Sequence, residues 1–425
     1  MIQSYIALVK NHFAIIASGF LLIFFSVFGQ TAFVGVFMPN IREEFGLSQS
    51  EIGTYYGLAT FLSALIVIWT GKKFDDVPML RFLSMVFAGL ALGCFILAIA
   101  PNVIVLFLAF LMLRQFGQGL MVFASSTSIN RYLDHGRGRA MAIASFAAPL
   151  QIAIFPFLGY QLLEISGWQN LWIGFGLFVL IFLWPLFFFL LKDHQKTTHA
   201  LWVNKITQQE NDSLTPDILH KTRIDALKDW KFYALAAVMI VPPCFTTAIF
   251  FFQADLAASK SISPQEFAGS LSLFTALSIA TSVISGVMID KYGEAPSLAL
   301  QPILYCCGLA LMVFTPSAAM LILGLGLVGA SEGFARTTGG PVLARLYGTK
   351  HLGAVKSMLF SVIIVSSAVS PALVGFLLDE GFGLLEIFTG FVVYILFAFC
   401  VLIPVLKHLW DIHLRDMEQT QTGEQ

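Results

Sequence analysis

The chain has 425 residues, of which 57% are hydrophobic and only 12% charged, with a formal net charge of −1. Soluble proteins carry about 25% charged residues, and a water-soluble globule of this length has too little interior to hide so much apolar surface. Soluble enzymes, nucleic-acid binders and disordered chains are therefore excluded. The composition is that of a polytopic α-helical membrane protein, in which each crossing takes about 20 mostly apolar residues.

Twelve apolar runs of about spanning length follow one another, at 12–38, 51–70, 79–100, 103–130, 139–163, 171–191, 231–254, 266–289, 296–315, 317–344, 355–378 and 387–406. The first has only Lys10 before it and no small-residue cleavage site after a short core, so it reads as a spanning helix rather than a signal peptide. Short polar turns such as Pro101-Asn102 and Thr315-Pro316 separate most runs. One polar segment is long. It divides the chain into a six-span half at 1–191, a linker at 192–230, a second six-span half at 231–407 and a tail at 408–425. Within the linker, Thr215-Pro216 reads as a helix N-cap followed by proline at the first helical position. Ile218, Ile224, Leu227 and Trp230 could give the stretch after it an apolar stripe. The five cysteines, Cys94, Cys244, Cys306, Cys307 and Cys400, all fall in apolar runs without metal-ligand or redox spacing.

Orientation follows from lysine and arginine, which concentrate on the cytoplasmic side of spanning helices. With the N-terminus inside, only Arg42 and Lys260 fall outside, while Arg114 and Arg336 lie within spans. Every other Lys and Arg is then cytoplasmic. The expectation is a multi-pass protein of the cell (inner) membrane with both termini and the linker in the cytoplasm.

The two halves repeat. Gly71-Lys-Lys-Phe-Asp75 corresponds to Gly286-Val-Met-Ile-Asp290, and Glu51 to Glu266, each 215 positions apart. Arg131 and Arg345 end the fourth and tenth runs, 214 apart, and Gly138 and Gly353 open the next ones. Parallel repeats of this kind place a transport path between halves near the midplane.

At these residues the chain resembles the major facilitator superfamily of secondary transporters. That family's loop signature between spans two and three, Gly-x-x-x-Asp-(Arg/Lys)-x-Gly-x-(Arg/Lys), is matched well by Gly286 to Gly293 with Asp290-Lys291. The first-half copy departs from it, with Asp76 at the basic position and Pro78 at the second glycine. Arg114-Gln-Phe-Gly117-Gln-Gly119 is similar to the family's span-four motif, and Gly167-Trp168 before span six is common in it. Gly46-Leu-Ser-Gln-Ser-Glu51, Arg137-Gly138 and Leu352-Gly353 resemble the monocarboxylate and oxalate:formate branch, although the cationic residues of that branch in spans one and eight have no counterpart. The resemblance implies an all-α fold of two pseudo-symmetric six-helix bundles. It also implies cytoplasmic latches, in which Asp75 meets Arg131 and the start of span eleven near Ala354. Asp290 would likewise meet Arg345 and the start of span five near Ala140. A carboxylate is favoured at such a helix N-terminus by the helix dipole.

Ionisable groups at membrane depth cost about 2.5–3.5 kcal/mol each on insertion scales, so the few present are informative. They are Arg114 in the fourth run and Glu332 and Arg336 in the tenth. No histidine lies deep in a span. Arginine holds a carboxylate bidentately, which makes Arg114 and Arg336 candidate substrate-binding residues and Glu332 a candidate proton-exchange group. Spaced i,i+4, Glu332 and Arg336 can also touch on one helix face. A self-neutralised pair, with Arg114 bonded to carbonyls, is the structural alternative.

The functional expectation is a secondary transporter, with the symport of a small organic anion and protons. A proton-driven exporter of amphipathic or drug-like molecules is the alternative, motivated by 42 phenylalanines. No cofactor, metal site, nucleic-acid partner or enzymatic activity is expected, and the protein is expected to act as a monomer.

Overall fold

The computed structural model describes residues 8–133, 137–192, 222–348 and 352–423, and those residues are helical with no strand. Among the described residues, eleven helices are long and apolar enough to cross a membrane. They are Gln49–Gly71, Met79–Ala98, Val103–Tyr132, Gly138–Ile165, Trp168–Leu191, Trp230–Phe251, Pro264–Tyr292, Glu294–Phe314, Ala318–Tyr347, Val355–Asp379 and Leu384–Arg415. Numbered in order, these are spans two to twelve. Span one is a bent pair, Phe13–Gly29 and Thr31–Phe45, turning by 41°. The chain therefore folds as an all-α membrane protein, and each expected run overlaps one span.

Span one is the departure from a run of plain helices. Its apolar stretch reads as continuous, but Gln30 takes extended backbone angles, φ −87° and ψ 142°, and a new helical segment starts at Thr31. An interruption at membrane depth frees backbone groups that lipid cannot satisfy, so side chains or neighbouring helices must do so.

The repeat is visible in local structure. Spans two and eight both begin with a capping box, in which a serine hydroxyl accepts from the third backbone N–H and the glutamate there accepts from the serine N–H. The pairs are Ser48 with Glu51 and Ser263 with Glu266. Helices cross closely where glycines meet. A Cβ on Gly117 would stand 2.7 Å from the Gly29 backbone nitrogen, and one on Gly308 2.6 Å from the Gly324 carbonyl oxygen. Small residues at such crossings let backbones approach and gain van der Waals contact, which drives helix association in lipid.

The chain divides into two compact units, Met1–Thr215 and Pro216–Gln425. The expected cap at Thr215-Pro216 lies outside the described residues. A short helix does occur later, Arg223–Lys228, capped by Thr222 and Asp225. Ile224, Leu227 and Trp230 are exposed there. Beyond Lys407, span twelve does not give way to an irregular tail. Its helix runs on as Leu384–Gly423. In that extension the His413 ring packs against Gly293, whose φ of +75° is readily adopted only by glycine.

Candidate substrate and proton site

In the first half, Arg114 is buried, 2% exposed, on a nine-residue π-helical stretch of span four, Leu113–Met121. Such widened turns interrupt α-helices mostly at functional positions. Its Nη1 donates to the Gly29 carbonyl at 3.0 Å, to the Tyr56 hydroxyl at 3.2 Å and to Thr31 Oγ1 at 3.3 Å. The Tyr56 hydroxyl donates in turn to Thr31 Oγ1 at 3.0 Å, and the guanidinium lies 5.1 Å from the Tyr56 ring centre. Arg114 thus holds the carbonyl that precedes the Gln30 interruption. Of the two arrangements open to it in the sequence, bonding to a carbonyl is the one present, and Nε is buried without a partner.

In the second half, Glu332 stands 14 residues into the 30-residue span ten, about 21 Å from its N-terminal end at 1.5 Å per residue. Thr246 Oγ1, from span seven, donates to Glu332 Oε1 at 2.8 Å. The same threonine oxygen lies 2.9 Å from the Tyr305 hydroxyl of span nine. Thr246 and Tyr305 are buried, and Glu332 is partly so. One turn on, Arg336 is exposed on the surface of its bundle. Among the described residues no hydrogen bond or ion pair within 4.0 Å joins it to a partner. The self-neutralised contact between Glu332 and Arg336 is therefore not formed.

The two halves build related polar nodes. Thr31 and Thr246 are 215 positions apart, as are Gly29 and Cys244. Each threonine bonds a tyrosine of its own half and an ionisable side chain from span four or ten. Each preceding carbonyl accepts a side-chain hydrogen bond, Gly29 from Arg114 and Cys244 from Ser370 Oγ at 2.6 Å. The first node carries a cation and is closed. The second carries a carboxylate and adjoins an exposed cation. Sequence reading missed Thr31, Tyr56, Thr246 and Tyr305. The offset of 215 could have paired the threonines, but neutral hydroxyls are not rare enough in a span to stand out.

The four expected gating residues are placed unevenly. Asp290 is exposed near the C-terminal end of span eight. Arg345, near the end of span ten, has its Nε 3.9 Å from Glu294 Oε2, so Glu294 is an acidic neighbour that the sequence did not single out. Arg131 is partly buried in the last turn of span four. Asp75 lies within the helix Gln49–Asp76, and its side chain is outside the described residues.

The phenylalanines of the first half largely pack on one another. Phe28, Phe33, Phe37, Phe155, Phe175 and Trp172 form a cluster with ring centres 5.3–6.3 Å apart. Edge-to-face and offset rings at these separations are favourable packing.

The model of the family described as Major Facilitator Superfamily matches residues 19–257 and 234–417. No curated relative matches this chain. Among solved structures, a bacterial homologue of the human lysosomal transporter Spinster, inward-facing and unoccupied, is similar with a TM-score of 0.68 at 14% identity, covering 93% of this chain and 97% of that one. The nucleoside transporter NupG is similar with a TM-score of 0.66 at 13% identity, covering 92% and 98%. At such identities the likeness shows the fold alone.

Proposed function

The chain belongs to the major facilitator superfamily and is a multi-pass secondary transporter; from that premise we propose that it moves a small organic anion, a carboxylate, together with protons. Arg336 binds the carboxylate and Glu332 exchanges the proton. The observation that carries this reading is the exposed Arg336 guanidinium, one turn from a carboxylate that bonds Thr246 instead of Arg336. A cation at membrane depth is costly, and an arriving carboxylate offsets that cost by accepting two parallel N–H bonds. Arg114 carries the same chemistry in the first half. Its Nη1 is committed to span one, so it supports the substrate path by holding the interruption at Gln30 open.

Transport follows by alternating access. The carboxylate enters at Arg336, Glu332 takes a proton, and loss of net charge at this node lets the carrier reorient. Asp75, Arg131, Asp290 and Arg345 close the cytoplasmic side in the opposite state. The protein acts as a monomer in the cell (inner) membrane, with the termini and the 192–230 linker in the cytoplasm, as the distribution of Lys and Arg supports.

The test is uptake by purified protein in proteoliposomes, across a panel of small mono- and dicarboxylates, with and without an imposed pH gradient. A carboxylate accumulated only with the gradient, and not by Arg336→Ala, is the expected result. Failure of every carboxylate to move, or accumulation undiminished in Arg336→Ala, would overturn the anion reading.

A further inference from the structure

Span seven is the most interrupted helix of the second half. Its segments are Trp230–Met239, Val241–Phe251 and Gln253–Ser259. The middle one opens with Pro242-Pro243, which lack backbone N–H groups and so leave carbonyls of the preceding turn unbonded. One such carbonyl, Val238, is reached by Gln301 Nε2 at 3.4 Å.

The middle segment is tied sideways by hydroxyls. Toward span eleven, Thr247 Oγ1 lies 2.9 Å from Ser367 Oγ, and Ser370 Oγ donates to the Cys244 carbonyl. Toward spans nine and ten, the tie is Thr246, between Tyr305 and Glu332. The first set joins neutral groups only. In the second, Thr246 has one proton, and it donates that to Glu332 Oε1. Tyr305 must therefore donate to Thr246, so the chain runs in one direction, Tyr305 to Thr246 to Glu332. An ionised carboxylate at the end of such a chain holds it with a charge-assisted bond roughly twice as strong as a neutral one. Protonation of Glu332 weakens this tie and leaves the ties to span eleven unchanged.

We propose that Thr246 and Tyr305 are positioning residues that make the Val241–Phe251 segment of span seven the element reporting the protonation of Glu332. With Glu332 ionised, the segment is drawn to spans nine and ten. With Glu332 protonated, it swings on its double proline while remaining attached to span eleven. The titratable and charged groups facing Glu332 are Arg336 on its own helix and Tyr305 on span nine. Span eight presents neutral groups to span ten, the Thr281 hydroxyl and the Ser278 carbonyl beside Gly333, and Ser285 Oγ, which accepts from Thr337 Oγ1 at 2.6 Å. The inference rests on Glu332 being the proton-exchanging group.

The test is amide hydrogen exchange of purified protein in nanodiscs, at acidic and at alkaline pH, corrected for the intrinsic pH dependence of exchange. It needs no substrate. In the wild type, peptides covering Val241–Phe251 should be protected more at alkaline than at acidic pH, by on the order of tenfold for a charge-assisted bond. Thr246→Val keeps the shape and deletes the hydroxyl, and should abolish that difference. Thr246→Ser keeps the hydroxyl and should restore it. Tyr305→Phe should reduce it. Peptides of span eleven should not change with pH in any variant. A wild type without the pH difference, or a Thr246→Val protein that retains it, overturns the inference. Glu332→Gln separates the two readings. Loss of the difference in Glu332→Gln but not in Thr246→Val would leave Glu332 as the proton site and remove Thr246 from its role. Persistence in Glu332→Gln would remove Glu332 itself.

Discussion

Exchanging each midplane arginine for alanine should separate two roles that their sequence context makes alike. Arg336→Ala deletes an exposed guanidinium with no hydrogen-bond or ion-pair partner among the described residues, so stability should be unchanged. The loss is confined to substrate: two charge-assisted hydrogen bonds, about 1.5–3 kcal/mol each when made to a charged group. Even one such bond lost raises the apparent KM by about tenfold or more. Arg114→Ala acts differently. The Gly29 carbonyl, inside the bundle beside the Gln30 interruption, loses its donor, and an unsatisfied buried acceptor costs about 1–3 kcal/mol. Tyr56 and Thr31 keep their mutual 3.0 Å bond, which limits the damage. Removal of an unpaired buried cation returns part of it. A net loss of about 1–2 kcal/mol should lower the melting temperature by several degrees, at about 2–4 °C per kcal/mol for a unit of roughly 200 residues. Thermal unfolding in detergent, followed by tryptophan fluorescence, together with uptake kinetics in proteoliposomes, reads both effects. The reasoning is refuted if Arg114→Ala keeps its melting temperature and loses affinity while Arg336→Ala does the reverse.

Three further expectations follow from single contacts. Glu332→Gln should abolish accumulation driven by a pH gradient while sparing substrate exchange across the membrane; if accumulation stays fully proton-driven, the proton moves with the substrate or through another group. If the proposed latch holds, Asp290→Asn should slow transport without abolishing binding and increase labelling of cysteines introduced on the cytoplasmic side, because losing a latch shifts populations rather than removing a site. Its effect should exceed that of Asp75→Asn, since Asp76 and Pro78 depart from the loop signature in the first copy, and labelling unchanged in both variants refutes the latch. Gly117→Ala would force a methyl to 2.7 Å from the Gly29 nitrogen; overpacking of this kind costs about 1–3 kcal/mol, so detergent stability should fall, whereas Gly138→Ala, where a Cβ meets nothing within 4 Å, should be silent in the same assay.

Much of the architecture was determined by the sequence alone, because lipid imposes one strong rule. A backbone that cannot bond to water must bond to itself, so apolar runs of spanning length have to be helices. That rule places twelve spans from the sequence alone, and the offset of 215 between Glu51 and Glu266 or Gly71 and Gly286 exposes the repeat. Rarity did the same for chemistry. Arg114, Glu332 and Arg336 stand out because charge in a span is expensive.

The partners of those charges were decided only in three dimensions. Nothing local marks Gln30 as the point where span one breaks, since its neighbours Gly29 and Thr31 are ordinary in spanning helices. At the break, the carbonyl of Gly29 is held by Arg114, which lies 85 positions from it along the chain. The i,i+4 spacing allowed Glu332 and Arg336 to close on each other, but helical spacing sets only what can touch. Thr246, arriving from another helix, offers the carboxylate a hydroxyl at 2.8 Å. Which partner a buried charge takes depends on which donor the packing of distant helices brings within reach, and single-sequence periodicity carries no record of that.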